Sequence, residues 1–198
     1  MRPLRGVGLG WRRPIAHDLV RSPDVVDFVE VIADNVIGRP DARRELISHA
    51  RWWPVVPHGV KLSLGSVDGF DVERAKAYGK LARDLGAPFV SEHISFVRAG
   101  ALEIGHLTQL PRTKAAAQVV AKNARTAAKA MKTPLLLENV AWTVRGPGDE
   151  LDEPAFIRLV LDESECDLLL DVANLYANAL NEHVDPIARV DAYPLERV

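Results

Sequence analysis

Histidines and carboxylates follow several of the short apolar segments of this sequence. Four of them close such segments: His58, His93, Glu138 and Asp171. Burying imidazoles and carboxylates together is costly unless a partner neutralises them, and a bound cation does so. Two histidines with two or three carboxylates suit iron, manganese or zinc, and a chain with one cysteine cannot build a thiolate cage. The sequence therefore predicts a metal site formed by these four residues, and carboxylates that bridge ions would allow more than one metal.

Other polar residues permit simpler interpretations. Glu30 lies inside an apolar segment and is either a ligand, a neighbour of the ligands or part of an internal salt bridge. A single acidic residue after a strand is commonly a helix N-cap. We expect His17, His49 and His183 to be ordinary packing or surface residues. His106 lies in a long predicted loop, Val97 to Arg112, on the face where β/α folds carry their active sites.

The elements that must position these residues are short strands that alternate with longer amphipathic segments. The predicted strands are Val7–Leu9, Phe28–Ile32, Val55–His58, Phe89–Glu92, Leu135–Glu138 and Leu168–Asp171. They are almost continuously apolar, which is typical of parallel strands covered on both faces. Helical spacing of apolar residues separates them, so the sequence predicts an α/β fold of the (β/α) barrel type. In such folds the carboxyl ends of the strands meet at one mouth.

Composition limits the classes of function. The 198 residues carry a net charge of −2, from 25 basic and 27 acidic side chains. This balance gives no indication of nucleic-acid binding, and no stretch approaches the roughly 20 apolar residues of a membrane span. Cys166 is the single cysteine, so an internal disulfide is impossible. We expect a cytoplasmic protein with one barrel domain over residues 1–198, binding neither nucleic acid nor membrane.

Four sequence motifs follow one another along the chain. They are the segment from His58 to Gly65 (HGVKLSLG), Ser91-Glu92-His93, Leu136-Leu137-Glu138-Asn139, and the segment from Leu169 to Asn178 (LLDVANLYAN). In this order they resemble the multinuclear non-haem iron-dependent oxidase family, which includes the methanobactin biosynthesis enzyme. The resemblance runs from about Gly6 to Val198, and so covers the whole chain.

This resemblance implies a xylose-isomerase-like barrel that holds two or three irons. Members use O2 to oxidise cysteine or other residues of ribosomally made precursor peptides, often with a small partner protein that presents the peptide. By the resemblance, His58, His93, Glu138 and Asp171 correspond to iron ligands. Glu30, Asn139 and Asn174 would either bind a metal themselves or lie next to the residues that do.

The last residues of the sequence bear on how many β/α units the chain contains. Asp185 to Val198 predicts a helix and the start of a seventh strand, so about six β/α units of an eight-unit barrel are expected. A longer protein, a second chain or loss of activity would each account for this.

A sugar isomerase or metal-dependent phosphodiesterase on the same barrel would need basic residues at the mouth, for which Lys61 and Arg98 are the available ones. A non-catalytic binding protein is the third alternative.

Overall fold

Six parallel strands form the central sheet of the computed structural model, which describes residues 4–198. They are β1 (Gly8–Gly10), β2 (Phe28–Ile32), β3 (Val55–His58), β4 (Val90–His93), β7 (Leu135–Glu138) and β8 (Asp167–Leu169), and they pair in that order. Between β4 and β7, strands β5 (Phe96–Ala99) and β6 (Leu102–Thr108) form a separate antiparallel hairpin. Among the described residues β1 pairs only with β2, and β8 only with β7. The predicted α/β fold with parallel strands is confirmed.

In the described residues, five helices connect successive strands of the sheet and two more follow its last strand. They are α1 (Arg13–Arg21), α2 (Pro40–His49), α3 (Val72–Leu85), α4 (Lys114–Met131), α5 (Glu153–Ser164), α6 (Val172–Asn181) and α7 (Pro186–Ala192). Their ends follow local chemistry. The side chains of Asp71, Thr113 and Asp152 each accept a hydrogen bond from a first-turn backbone N–H of α3, α4 and α5. Gly86 ends α3 with a φ of 64°, the left-handed conformation that glycine adopts without strain. None of the helices described is long and apolar enough to cross a membrane.

The core lies between the sheet and its helices. Val29, Val55, Val90 and Leu137 of the sheet are fully buried, as the uniformly apolar strands predict. On the outer layer, Gly79 of α3 permits unusually close packing against α4. A Cβ atom at that position would lie 2.0 Å from the backbone oxygen of Met131. The absence of a side chain therefore sets the spacing of these two helices.

Two elements differ from the sequence-based expectation. Residues 97–112 were expected to form one long loop, but most of them belong to the β5–β6 hairpin. Its base is fixed by Ser63, whose Oγ accepts hydrogen bonds from the backbone N–H groups of Val97 (2.9 Å) and Arg98 (3.1 Å). The hairpin therefore begins three residues after His93 and is tied to the loop that follows β3.

The prediction of a seventh strand is wrong. After α7 the chain forms a short 3₁₀ turn at Leu195–Arg197. The Arg197 side chain donates to the Cys166 carbonyl (2.7 Å) and to Asp167 Oδ1 (3.0 Å), which holds this turn against the start of β8. The sixth strand is also shorter than predicted. It ends at Leu169, so Asp171 lies beyond it.

Candidate metal centre

Three of the four predicted ligands converge at the carboxyl ends of adjacent strands. His58, His93 and Glu138 are the last residues of β3, β4 and β7. In the sheet register His93 lies beside Glu138, and His58 lies beside Ser91, two residues before His93. Residues two apart on a strand share a face. The parallel pairing therefore directs all three side chains to one side of the sheet.

The distances in this cluster are short. His58 Nε2 and His93 Nε2 each lie 3.6 Å from Glu138 Oε2. One ligand atom from each residue lies within 4.8 Å of the other two, and all three residues are buried. The two imidazole rings meet nearly edge-on, with centroids 4.7 Å apart and planes at 70°. Two ring nitrogens and a carboxylate oxygen thus face a common point.

Contacts behind the rings orient the two imidazoles. His58 Nδ1 lies 2.9 Å from Ser91 Oγ, within hydrogen-bonding distance, so Nε2 is the nitrogen directed to Glu138. His93 Nδ1 lies 3.5 Å from Glu92 Oε1 but forms no well-aligned hydrogen bond. Each histidine therefore presents Nε2 to the cluster and turns Nδ1 towards a neighbouring oxygen.

The electrostatics of the cluster are unfavourable in the absence of a cation. Burial, with the nearby His93, lowers the pKa of His58 to about 3. Burial raises the pKa of Glu138 to about 7; His93 opposes this rise, while Asp171, Glu30 and Glu92 add to it. A bound cation would favour the neutral imidazole of His58 and the charged carboxylate of Glu138. It would also offset the repulsion between Glu138 and the neighbouring carboxylates.

His93 behaves differently from His58. Burial favours its neutral form, but the nearby Glu92 and Glu138 carboxylates outweigh burial and raise its pKa. The donor set of two imidazole nitrogens and a carboxylate fits a divalent first-row metal. His58, His93 and Glu138 would hold such an ion.

Asp171 lies next to this cluster and has a structural role as well. It is the N-cap of α6, and its Oδ1 accepts a hydrogen bond of 2.8 Å from the Asn174 backbone N–H. Asn139 exchanges two hydrogen bonds with the Asp171 backbone, and Asn174 Nδ2 donates to the Asn139 carbonyl (2.9 Å). These residues join the end of β7 to the start of α6. Metal ligation by Asp171, Asn139 and Asn174 stays a prediction.

Glu30 is half-buried on β2, outside the group of three. Burial raises its pKa, and the charges of Arg12 and His93 oppose this rise. In the sheet register Glu30 lies beside Val56, two residues before His58, so its side chain is on the same side of the sheet as the cluster. Whether it binds a metal is likewise a prediction.

Sequence reasoning missed the residues that support the ligands. Ser91 and Glu92 lie inside the quoted motif Ser91-Glu92-His93, but only the histidine was selected. Asp34 supports the loop after His58. Its carboxylate accepts hydrogen bonds from the Val60 backbone N–H (3.0 Å) and the Tyr78 hydroxyl (2.5 Å). The position of Asp34, two residues after the end of β2, was the available signal.

The other four histidines lie outside the cluster. His49 packs against Trp11, with ring centroids 4.8 Å apart, and His17 and His183 are exposed. His106 is exposed on β6 and is not part of the cluster. Cys166 is buried before β8, as expected for a small apolar residue.

The fold resembles that of xylose-isomerase-type β/α barrels, and the cluster of His58, His93 and Glu138 is a possible metal-binding site. D-psicose 3-epimerase from Clostridium cellulolyticum superposes with a TM-score of 0.59 at 13% identity, over 87% of this chain and 65% of that one. Endonuclease IV from Thermus thermophilus gives 0.58 at 18% identity, over 98% and 74%. A xylose isomerase domain protein from Planctomyces limnophilus gives 0.58 at 15% identity, over 97% and 68%. At these identities the likeness establishes the fold alone.

The chain belongs to the family described as RiPP precursor modification enzyme MbnB/TglH/ChrH, whose profile matches residues 6–198. A UPF0276 protein of Streptomyces avermitilis is 41% identical over 98% of this chain, which spans 41% of that relative. A UPF0276 protein of Caulobacter vibrioides is 34% identical over the full chain, which spans 71% of it. The resemblance inferred from the four motifs is confirmed.

Proposed function

We propose that this chain carries the metal centre of an iron- and O2-dependent oxidase that modifies a ribosomally made precursor peptide, at cysteine. The observation that carries the proposal is the convergence of His58, His93 and Glu138 at the mouth of the sheet. Membership of a family of precursor-peptide modification enzymes supports the class of substrate. Iron, O2 and cysteine are the specific parts of the proposal and require direct tests.

The ligand chemistry favours a redox-active or Lewis-acidic metal over a structural one. Structural zinc sites in proteins are closed by four ligands and commonly contain thiolates. Here two imidazoles and one carboxylate converge, and the single cysteine, Cys166, is buried before β8, the strand that precedes Asp171. A set of three ligands leaves coordination positions open for other molecules.

We propose two or three irons, because further carboxylates surround the first ligand set. Asp171 and Glu30 lie close enough for their charges to raise the pKa of Glu138. A carboxylate with several others nearby is suited to bridge two ions. Asp171 would bind from the N-cap of α6, and Asn139 and Asn174 would hold it in place.

The residues of this chain would act mainly by positioning. Iron bound here would supply the capacity to bind and reduce O2 and to accept a substrate thiolate. Ser91 keeps the His58 Nε2 directed to the cluster, and Asp34 fixes the backbone at Val60, two residues after His58. The β5–β6 hairpin begins three residues after His93.

The precursor peptide is the proposed substrate, and a small protein that presents it is the proposed partner. We also propose that residues 1–198 belong to one barrel domain, of which the described sheet forms six strands. The activity, substrate and partner are those of the whole protein, because the chain spans less than half of its Streptomyces relative.

The sugar isomerase and phosphodiesterase alternatives depended on free basic residues at the mouth. Lys61 Nζ lies 2.9 Å from Glu103 Oε1, and Arg98 Nη2 donates to the Gly69 carbonyl at 3.1 Å. Both cations therefore already have partners within the protein. We favour the peptide-modifying oxidase, since the family supports it and these contacts weaken the basic cluster.

Metal content and reaction with air test the proposal. The protein should be purified without oxygen, its metals measured, and its absorption recorded before and after exposure to air. We expect two or three irons per chain and a ferric band that develops only with O2. Zinc alone, inert to air, would exclude the oxidase. Incubation with a cysteine-containing precursor peptide encoded beside the gene should then give an O2-dependent mass change.

A further inference from the structure

Glu92 is a fully buried carboxylate in the midst of the ligand-bearing strands. It is 1% exposed and immediately precedes His93 on β4. A buried carboxylate is retained at such a position only when other groups satisfy its oxygens. Its hydrogen bonds therefore indicate what it does.

Both carboxylate oxygens are engaged by groups next to the two histidine ligands. Oε1 accepts a hydrogen bond of 3.0 Å from the His93 backbone N–H and lies 3.5 Å from His93 Nδ1. Oε2 accepts from the backbone N–H of Leu62 at 3.3 Å. Leu62 belongs to the loop that follows His58. One carboxylate thus contacts the backbone and ring of one ligand and the loop that follows the other.

The close packing of this loop depends on glycine. A Cβ atom on Gly59 would lie 2.5 Å from Glu92 Oε2 and 2.4 Å from Tyr78 Cε2. The Gly59 backbone N–H also donates to the Ser91 carbonyl at 2.7 Å. The chain after His58 is therefore held directly against the Glu92 carboxylate.

His93 Nδ1 has no aligned hydrogen-bond acceptor although it is buried. Histidines that bind metal through one ring nitrogen commonly donate the other N–H to a carboxylate, which fixes the tautomer and the ring orientation. Glu92 Oε1 is the carboxylate oxygen 3.5 Å from this nitrogen.

We infer that Glu92 is a positioning residue that supports both imidazole ligands: it accepts the Nδ1–H of His93 when metal binds Nε2, and it anchors the loop after His58. This inference rests on the proposed metal centre. It assigns to Glu92 no contact with substrate or metal.

The first test is zinc binding to the complete chain, with Zn²⁺ alone as probe. Glu92→Gln keeps the size of the side chain but removes the charge and one acceptor. Loss of such an outer partner typically weakens metal affinity by roughly 10- to 100-fold. We expect a weakening of that size by competition with a chelator of known affinity. An unchanged affinity in the folded variant would overturn the inference.

A matched variant separates positioning from general loss of stability. Glu153 is also a buried carboxylate, 4% exposed, and accepts a hydrogen bond of 2.7 Å from Asn178 Nδ2. Glu153→Gln makes the same chemical change outside the ligand set. We expect zinc affinity of this variant to stay within about twofold of the parent. Equal losses of affinity in both variants would contradict the specific role of Glu92.

A measurement on the unmodified protein is independent of the folding of either variant. Ring ¹⁵N NMR of the Zn²⁺-bound protein should show His93 coordinated through Nε2 and protonated at Nδ1. Coordination through Nδ1 would overturn the inference, even with tight binding. Failure of the unmodified protein to bind zinc would overturn the metal centre itself, and the role of Glu92 with it.

Discussion

Replacement of Glu138 by glutamine should stabilise the metal-free protein at alkaline pH. Glu138 carries a pKa of about 7 in the folded chain against an ordinary value of 4.5, chiefly because it is buried. Between these values the folded protein keeps the proton that the unfolded chain releases. Rising pH therefore favours the unfolded state. Each pH unit in this interval is worth about 1.4 kcal/mol, so the full interval costs about 3 kcal/mol.

The assay is chemical denaturation in the presence of a chelator, at pH 5 and at pH 8. At pH 5 the variant and the parent protein should differ little, because the Glu138 carboxyl is largely protonated in the folded state. At pH 8 Glu138→Gln should be more stable by about 3 kcal/mol. The contribution of His58 is common to both proteins and cancels in the comparison. A stability difference that is the same at both pH values would refute the reasoning.

Three further predictions concern the support of the site. Gly59→Ala places a Cβ 2.4 Å from a tyrosine ring carbon and should cost about 1–3 kcal/mol in thermal denaturation. Gly148→Ala, with open space around it, should be nearly neutral. Asn178→Ala removes the partner of the Trp142 backbone N–H and of Glu153 Oε1, and should cost about 2–4 kcal/mol by urea unfolding. Unchanged stability would show that these two hydrogen bonds do not stabilise the fold. Asp171→Asn keeps an N-cap side chain, so unfolding should change by only a few tenths of a kcal/mol, whereas iron stoichiometry should fall; unchanged stoichiometry would remove this residue from the ligands.

Much of the fold could be predicted because the local signals agree with one another. The β7 strand was predicted with its observed bounds, since a run of leucines ends at Glu138 and a Thr-Pro pair precedes it. Helix α3 follows from its apolar spacing and from Gly86 at its end. The hairpin was missed because Gly105, with a φ of 73°, interrupts the alternation in β6. The last turn was misassigned because contacts of Arg197 with distant residues stabilise it.

The site could be predicted only in part, for a similar reason. Strand-end positions suffice to bring His58, His93 and Glu138 together, because parallel strands align their carboxyl ends. The roles of Ser91 and Glu92 depend on side-chain orientation and on the path of the loop after His58. A linear sequence does not show either. Asp171 illustrates the remaining ambiguity, since an N-cap and a metal ligand require the same carboxylate at the same position.

Anomalous diffraction from crystals of the iron-loaded protein, recorded at the iron absorption edge without oxygen, tests the central claim most directly. We predict an anomalous peak between His58 Nε2, His93 Nε2 and the Glu138 carboxylate, within coordination distance of all three. Iron found elsewhere, or no peak among these three side chains in crystals of protein that retains iron, would contradict the metal centre proposed here.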